Sequence, residues 1–231
     1  MEENTKKKDS GFNNLLINII IPAIILMKGA KYLPLTAVQV LLLALAFPFF
    51  YGLYDFFIKK EKNFIPILGF VSILLSGIVG VLELSKELIA IKEAAIPFII
   101  GCVVLISNYT SFPIAPKLLY HDDIFDKKII NEHLNDAQKQ NLQEKIKKAS
   151  FFLFLSFMLS AVLNFVLAKY FVKSPTGTDA FNDELGQMTL YSYPIIALPS
   201  TLIMLAIARY IYINIKKLTG LTSDDILLFN K

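Results

Sequence analysis

Five charged residues interrupt a strongly apolar stretch of this chain. Between Gly77 and Gly101 the sequence reads GIVGVLELSKELIAIKEAAIPFIIG, with Glu83, Lys86, Glu87, Lys92 and Glu93 at its centre. Carboxylates and ammonium groups held beside hydrocarbon can relay protons, pair with a charged substrate or hold a partner. Counting residues in the flanking apolar runs moves Glu83 to Glu93 to a membrane interface. There Lys86 and Glu87 are solvated, while Lys92 and Glu93 enter the next span and meet neighbouring helices. Asp55, in FYGLYDFFIKK, stands four residues before Lys59. That i,i+4 pairing is a sufficient structural role, with a proton relay as the functional alternative. Arg209, among Tyr210 and Tyr212, reads as an interfacial anchor. Asn164 falls near the middle of an apolar run, where it makes an interhelical hydrogen bond or lines a substrate path.

Other candidates carry less chemistry. His121, Asp122 and Asp123 suggest a metal, but His133 is twelve residues away and no ligand spacing matches. Asp122 and Asp123 read as loop or cap residues. Cys102 lies inside an apolar run and reads as a small buried hydrophobe. The sequence holds no G-x-S-x-G, H-E-x-x-H or P-loop pattern. We therefore expect no catalytic residue, metal or cofactor.

The elements that carry these residues are membrane helices. Of 231 residues, 55% are hydrophobic and 18% charged, with mean hydropathy +0.56. The apolar residues come in blocks, and roughly 20 of them cross a ~30 Å hydrocarbon layer. Six such blocks predict an all-α polytopic transmembrane bundle, one membrane domain over 1–231. The spans are placed at about 14–33, 36–58, 64–84, 89–107, 151–172 and 190–213. Within lipid the backbone must satisfy itself, and nothing alternates as barrel strands do, so the spans are helices. The first is expected to remain uncleaved, because KGAKYLP follows it rather than a small-residue cleavage site. Pro66, Pro97 and Pro194 are expected near helix starts, and Pro22, Pro48 and Pro199 at interior kinks.

Lysines set the threading. Lys6, Lys7 and Lys8, then Lys59, Lys60 and Lys62, then the lysines of 108–150, then Lys216 and Lys217 fall on one side of a six-span chain. Lys28 and Lys31, then the short hairpin, then the acidic loop with Asp179, Asp183 and Glu184 fall on the other. The bias puts both termini in the cytoplasm; a five-span chain lacking the first span is the alternative. The polar stretch 108–150 ends in a weakly amphipathic helix on the cytoplasmic face that runs into the fifth span. Its basic end, Lys145, Lys147 and Lys148, is placed to touch anionic lipid heads. Net charge is +4 with dispersed lysines, which speaks against a nucleic-acid partner. Ser72, Ser76 and Gly80, and separately Ser156, Ser160, Asn164 and Ala168, recur every four residues and predict faces that pack inside the bundle.

Several stretches resemble the bacterial septation protein A family, most nearly a six-span branch of it. They are LLINIIIPAIILMKGAKYL, LALAFPFFYGLYDF, the 77–101 hairpin, SAVLNFVLAKYFVKSPTGTDAFNDELG, and YSYPIIALPS through KKLTGLTSDDIL. The chain departs from the septation proteins in having no Trp beside the hairpin lysine, where Ile91 to Ala94 stand, and in its long polar segment. The resemblance implies a bacterial inner-membrane protein linked to envelope integrity and cell division. Its partners would be membrane lipids and other envelope or division membrane proteins, without catalysis. Pro-interrupted spans and Asn164 suggest small-solute or lipid transport as the alternative.

Overall fold

A computed structural model describes residues 16–58, 75, 77–110, 113–121 and 124–228, with side chains of 55–58 excepted. The side chain of Asp55, and Ser72, Ser76, Asp122, Asp123, Pro66, the N-terminal lysines and Lys59, Lys60 and Lys62 lie outside the described residues, as does most of the expected third span. All regular elements among the described residues are helical. They are α1 (Ile21–Tyr32), α2 (Ala37–Ile58), α3 (Glu87–Ser107), α4 (Ile114–Leu119), α5 (Lys127–Glu132), α6 (Asp136–Phe171), α7 (Asp179–Ser192), α8 (Leu198–Thr219) and α9 (Ser223–Ile226). Four helical stretches are long and apolar enough to cross a membrane: Ala37–Tyr54, Glu87–Ser107, Asp136–Phe171 and Asp179–Thr219. They match the expected second, fourth, fifth and sixth spans and make this a multi-pass arrangement.

Two of the four outrun their apolar blocks. At 1.5 Å per residue the 36-residue α6 is about 54 Å long, well beyond a ~30 Å hydrocarbon layer. Its first four turns are the expected amphipathic segment, continuous with the span. The last span begins early as well. Thr178 caps α7, its Oγ1 accepting from the Phe181 amide at 3.1 Å, so helix starts eleven residues before the apolar block at Leu190.

Two of the prolines are placed differently from expectation. Pro22 sits in the first turn of α1, directly after a π-helical turn at Leu16–Ile20. The helix continues through Ile20 in αR conformation, so Pro22 is interior to one helical run, as expected. Pro97 lies well inside α3, and Pro194 lies in a π-helical turn, Tyr193–Ala197, that joins α7 to α8. Both were expected near helix starts. Apolar blocks mark where lipid begins, not where helix begins, and membrane helices tolerate interior Pro. Pro48 is inside α2 and Pro199 inside the continuous helical stretch Asp179–Thr219, both interior as expected.

The chain divides into two compact units: residues 1–96 with 161–197, and residues 97–160 with 198–231. In the first, α1 packs between α2 and α7. A Cβ on Gly186 of α7 would stand 2.9 Å from the Ala23 carbonyl oxygen and 2.7 Å from the Met27 side chain. Only hydrogen fits between these helices, as small residues allow. Phe181, fully buried, fills the centre with Leu41, Val79 and Ile89.

The second unit has its own core. Leu142, Ile146, Ala149 and Leu153 of α6 meet Ile207, Ile211 and Ile215 of α8, each row keeping one helical face. The chain end locks onto this core. The Asp126 amide donates to the Ile226 carbonyl at 3.0 Å, and the Leu228 amide to the Ile124 carbonyl at 3.0 Å. Gln138 Nε2 caps the end of α8 through the Leu218 carbonyl at 2.9 Å, and Gly220 closes that helix at φ +72°.

Replacing Gly186 by Val should push α1 from α7. The expected result is a thermal midpoint in detergent lowered by several degrees, since overpacking costs ~1–3 kcal/mol. An unchanged midpoint would contradict the close approach.

Candidate functional site

The hairpin charges converge on one loop cluster in the first unit. Residues 82–86 link the short helical stretch 77–81 to α3, and residues 172–178 link α6 to α7. Glu184, in the second turn of α7, binds the second loop through its carboxylate. It accepts from the Lys173 amide at 2.7 Å, the Ser174 amide at 2.7 Å and Ser174 Oγ at 2.8 Å. Lys86 Nζ donates to the carbonyl of the same Lys173. Thr176 Oγ1 donates to the Leu84 carbonyl at 2.7 Å. Each loop therefore supplies a side chain that satisfies the other's backbone, as chain ends leaving a helix require.

Backbone conformation tightens the same contact. Glu83 adopts φ +49° and Gly177 φ +79°. A Cβ on Gly177 would lie within 2.8–2.9 Å of the Glu83 side chain, so glycine is required there on two counts. Ser85 Oγ donates to Glu87 at the start of α3. Beneath the loops Asn182, 1% exposed, donates from Nδ2 to the Ala37 carbonyl at 2.7 Å and ties α7 to the first turn of α2.

Lys92 and Glu93 form an ion pair of 2.6 Å, with side chains 8% and 23% exposed. Adjacent helix positions do not share a face, so the two side chains bend toward each other. The hairpin residues thus divide in two: Glu83, Lys86 and Glu87 hold loops, and Lys92 with Glu93 forms a largely buried pair.

The remaining candidates are scattered. Asn164 is half-buried on α6, and Arg209 is exposed on α8. Ser156 and Ser160 are buried, and Ser160 Oγ lies 3.0 Å from Ser200 Oγ of α8. Gly80 packs on Leu41 and Phe181. The two small-residue rows therefore meet different partners among the described residues. His133 donates from Nδ1 to the Ile129 carbonyl at 2.9 Å. No group of three metal-binding side chains occurs among the described residues.

Two cavities are lined by described residues. One, about 530 Å³, is a groove in the first unit between Leu42, Leu45, Ala46, Phe49 and Phe50 of α2 and Gly77, Ile78, Val81 and Leu82. Every lining residue is apolar. The other, about 480 Å³, is lined by polar and apolar side chains together and lies in the second unit. Neither is lined by Asn164. The arrangement is suited to holding and orienting: three donors, the Lys173 and Ser174 amides and the Ser174 hydroxyl, fix the Glu184 carboxylate in place.

No protein-family model, curated protein or solved structure matches the chain.

Glu184 entered the sequence reading only as a loop charge that sets the threading, and Asn182 did not enter it. Both act on backbone groups of a different segment, and no spacing rule encodes such a bond. The PTGTD turn, with Gly177 and the Thr178 cap, was the readable signal beside them. Glu184→Gln should loosen the 172–178 loop, because a neutral amide accepts these bonds more weakly. Hydrogen exchange at the Lys173 and Ser174 amides should rise about tenfold, corresponding to ~1.4 kcal/mol. Unchanged exchange would contradict the clamp.

Proposed function

We propose that this chain is a six-span protein of the bacterial inner membrane that works by binding lipid or a membrane partner, without catalysis. Its role would lie in envelope integrity or septation, as the resemblance to the septation protein A family implies. Both termini are placed in the cytoplasm. The six-span count adds the α1 segment and the 64–84 block to the four long apolar helices. The lysine bias supports the orientation.

The wholly apolar groove beside α2 carries the binding reading. A soluble ligand would find no hydrogen-bond partner there. An acyl chain needs none, and α2 is apolar enough to stand among such chains. Leu42 and Phe50 are exposed at its rim, at 50% and 66%, which leaves the groove open along a helix flank. The consumed hairpin charges support the non-catalytic part.

Small-solute or lipid transport is the second reading. It draws on Pro48 and Pro97 inside helices and on the π-helical turn at Tyr193–Ala197, since interrupted helices line many transport paths.

A phospholipid carrying a photoactivatable acyl group should crosslink preferentially to 42–50 and 77–82. Ala46→Phe, which fills the groove, should lower that yield severalfold. Even crosslinking along every apolar helix, unchanged by the substitution, would overturn the reading. For orientation, a cysteine placed at Asp183 should react with an impermeant maleimide from outside intact cells. Reaction only from the cytoplasmic side would reverse the topology.

A further inference from the structure

The cavity of the second unit has a composition that the loop cluster and the apolar groove lack. Along one wall run Lys139, Gln143 and Lys147 of α6, two helical turns in i,i+4 register and therefore on one face. The rest of the lining is Asn108, Thr110, Tyr120 and Asn131, interleaved with the apolar Pro113, Pro116, Leu142 and Ile146. No described lining residue is acidic. Lys139 makes only a loose 3.8 Å ion pair with the fully exposed Asp136. Lys127, 5.0 Å from the Tyr120 ring centre, adds positive charge beside the lining.

Asn108 makes the cavity more than a basic dent. Its Oδ1 is buried and has no hydrogen-bond partner. A buried polar atom left unmatched costs stability, and a donor entering the cavity regains that cost only by displacing the atoms that cover Oδ1. A ligand that satisfies the lining therefore carries negative charge for the two ammonium groups and a hydroxyl or amine for Asn108.

Position narrows the class. Asn108 directly follows the membrane-crossing helix α3, and Lys147 is one turn before the apolar run that opens at Phe151. Both residues mark the level where hydrocarbon gives way to water, which is the level of lipid headgroups. We propose that this cavity binds a phosphate ester bearing a free hydroxyl, with Lys139 and Lys147 on the phosphate and Asn108 on the hydroxyl. At this depth the chemistry fits the headgroup of an anionic glycerophospholipid, and free glycerol phosphate shares it. The inference rests on the membrane placement proposed above, but not on the apolar groove.

The test uses the full chain in nanodiscs of phosphatidylcholine doped with phosphatidylglycerol, with bound lipid counted by native mass spectrometry after detergent extraction. Phosphatidylglycerol should be retained over phosphatidylcholine. The double substitution K139Q/K147Q should lower its retention about tenfold, as loss of two headgroup-level lysines implies. K145Q/K148Q removes the same charge from residues that do not line the cavity, and it should change retention less than about twofold. Asn108→Leu should lower retention without lowering the thermal midpoint, because it removes an unmatched polar atom.

Competition by soluble glycerol phosphate, abolished by K139Q/K147Q and spared by K145Q/K148Q, would support the site and assign the free ester as its ligand. Equal loss in both double variants, or no preference for phosphatidylglycerol, would overturn the proposal. Acyl crosslinking at 42–50 would survive that failure, so the two readings fall separately.

Discussion

A backbone that crosses hydrocarbon must satisfy its own hydrogen bonds, and this chain is organised around that requirement. Within the apolar helices the peptide groups pair along the helix, and side chains are left to pack. Several polar side chains find their work where helices end. That is where Glu184, Asn182, Lys86, Thr176 and Gln138 stand, and each of them bonds a backbone group at or near a helix terminus. The same requirement explains the tolerated prolines: a helix losing one bond at Pro97 or Pro194 remains helical because no alternative structure satisfies the rest.

The loop cluster shows how charge beside a membrane can be structural. Two loops separated by nearly ninety residues meet, and neither has a regular backbone of its own to pair with. Lys86 and Thr176 cross between them, and Glu184 fixes the second loop to α7. Charge-assisted bonds to backbone groups are stronger than neutral ones, which is reason enough for Lys and Glu at these positions without any proton transfer. Lys92 and Glu93 differ, since their pairing is side chain to side chain and largely buried. Burial of such a pair is weak evidence for stability and better evidence for a specified arrangement.

Helix content and the sites of the long spans were legible because apolar blocks announce them. The apolar face of the 108–150 segment, with Leu142 and Ile146, was legible as a weak amphipathic period, whereas the Ile207, Ile211, Ile215 row was hidden inside an apolar block. Helix termini were not legible. The apolar block of the last span starts at Leu190, yet α7 starts at Asp179 because a Thr cap and tertiary packing of Phe181 extend it. Hydropathy reports the solvent around a segment and says nothing of helix continuing past the lipid. Of the candidate site, the hairpin charges were visible by their oddity. Their partners were not, because Lys173, Ser174 and Ala37 contribute backbone atoms, and backbone atoms are the same in every residue. The docking of the chain end on α5 was hidden for that reason too, since it runs through Ile124, Asp126 and Ile226 main-chain groups.

The two cavities divide along the chemistry of their surroundings. Beside α2 the lining is carbon alone, and what enters gains by leaving water or by matching lipid already there. Around the cavity of the second unit, amides, a phenol and two ammonium groups line one space with no described carboxylate to neutralise them. Apolar side chains, Pro113, Pro116, Leu142 and Ile146, supply the rest of the same lining. An unmatched amide oxygen at Asn108 lowers stability where an apolar residue would not. Retaining polarity at such a cost, in the turn where a membrane helix reaches water, is better explained by a ligand than by packing.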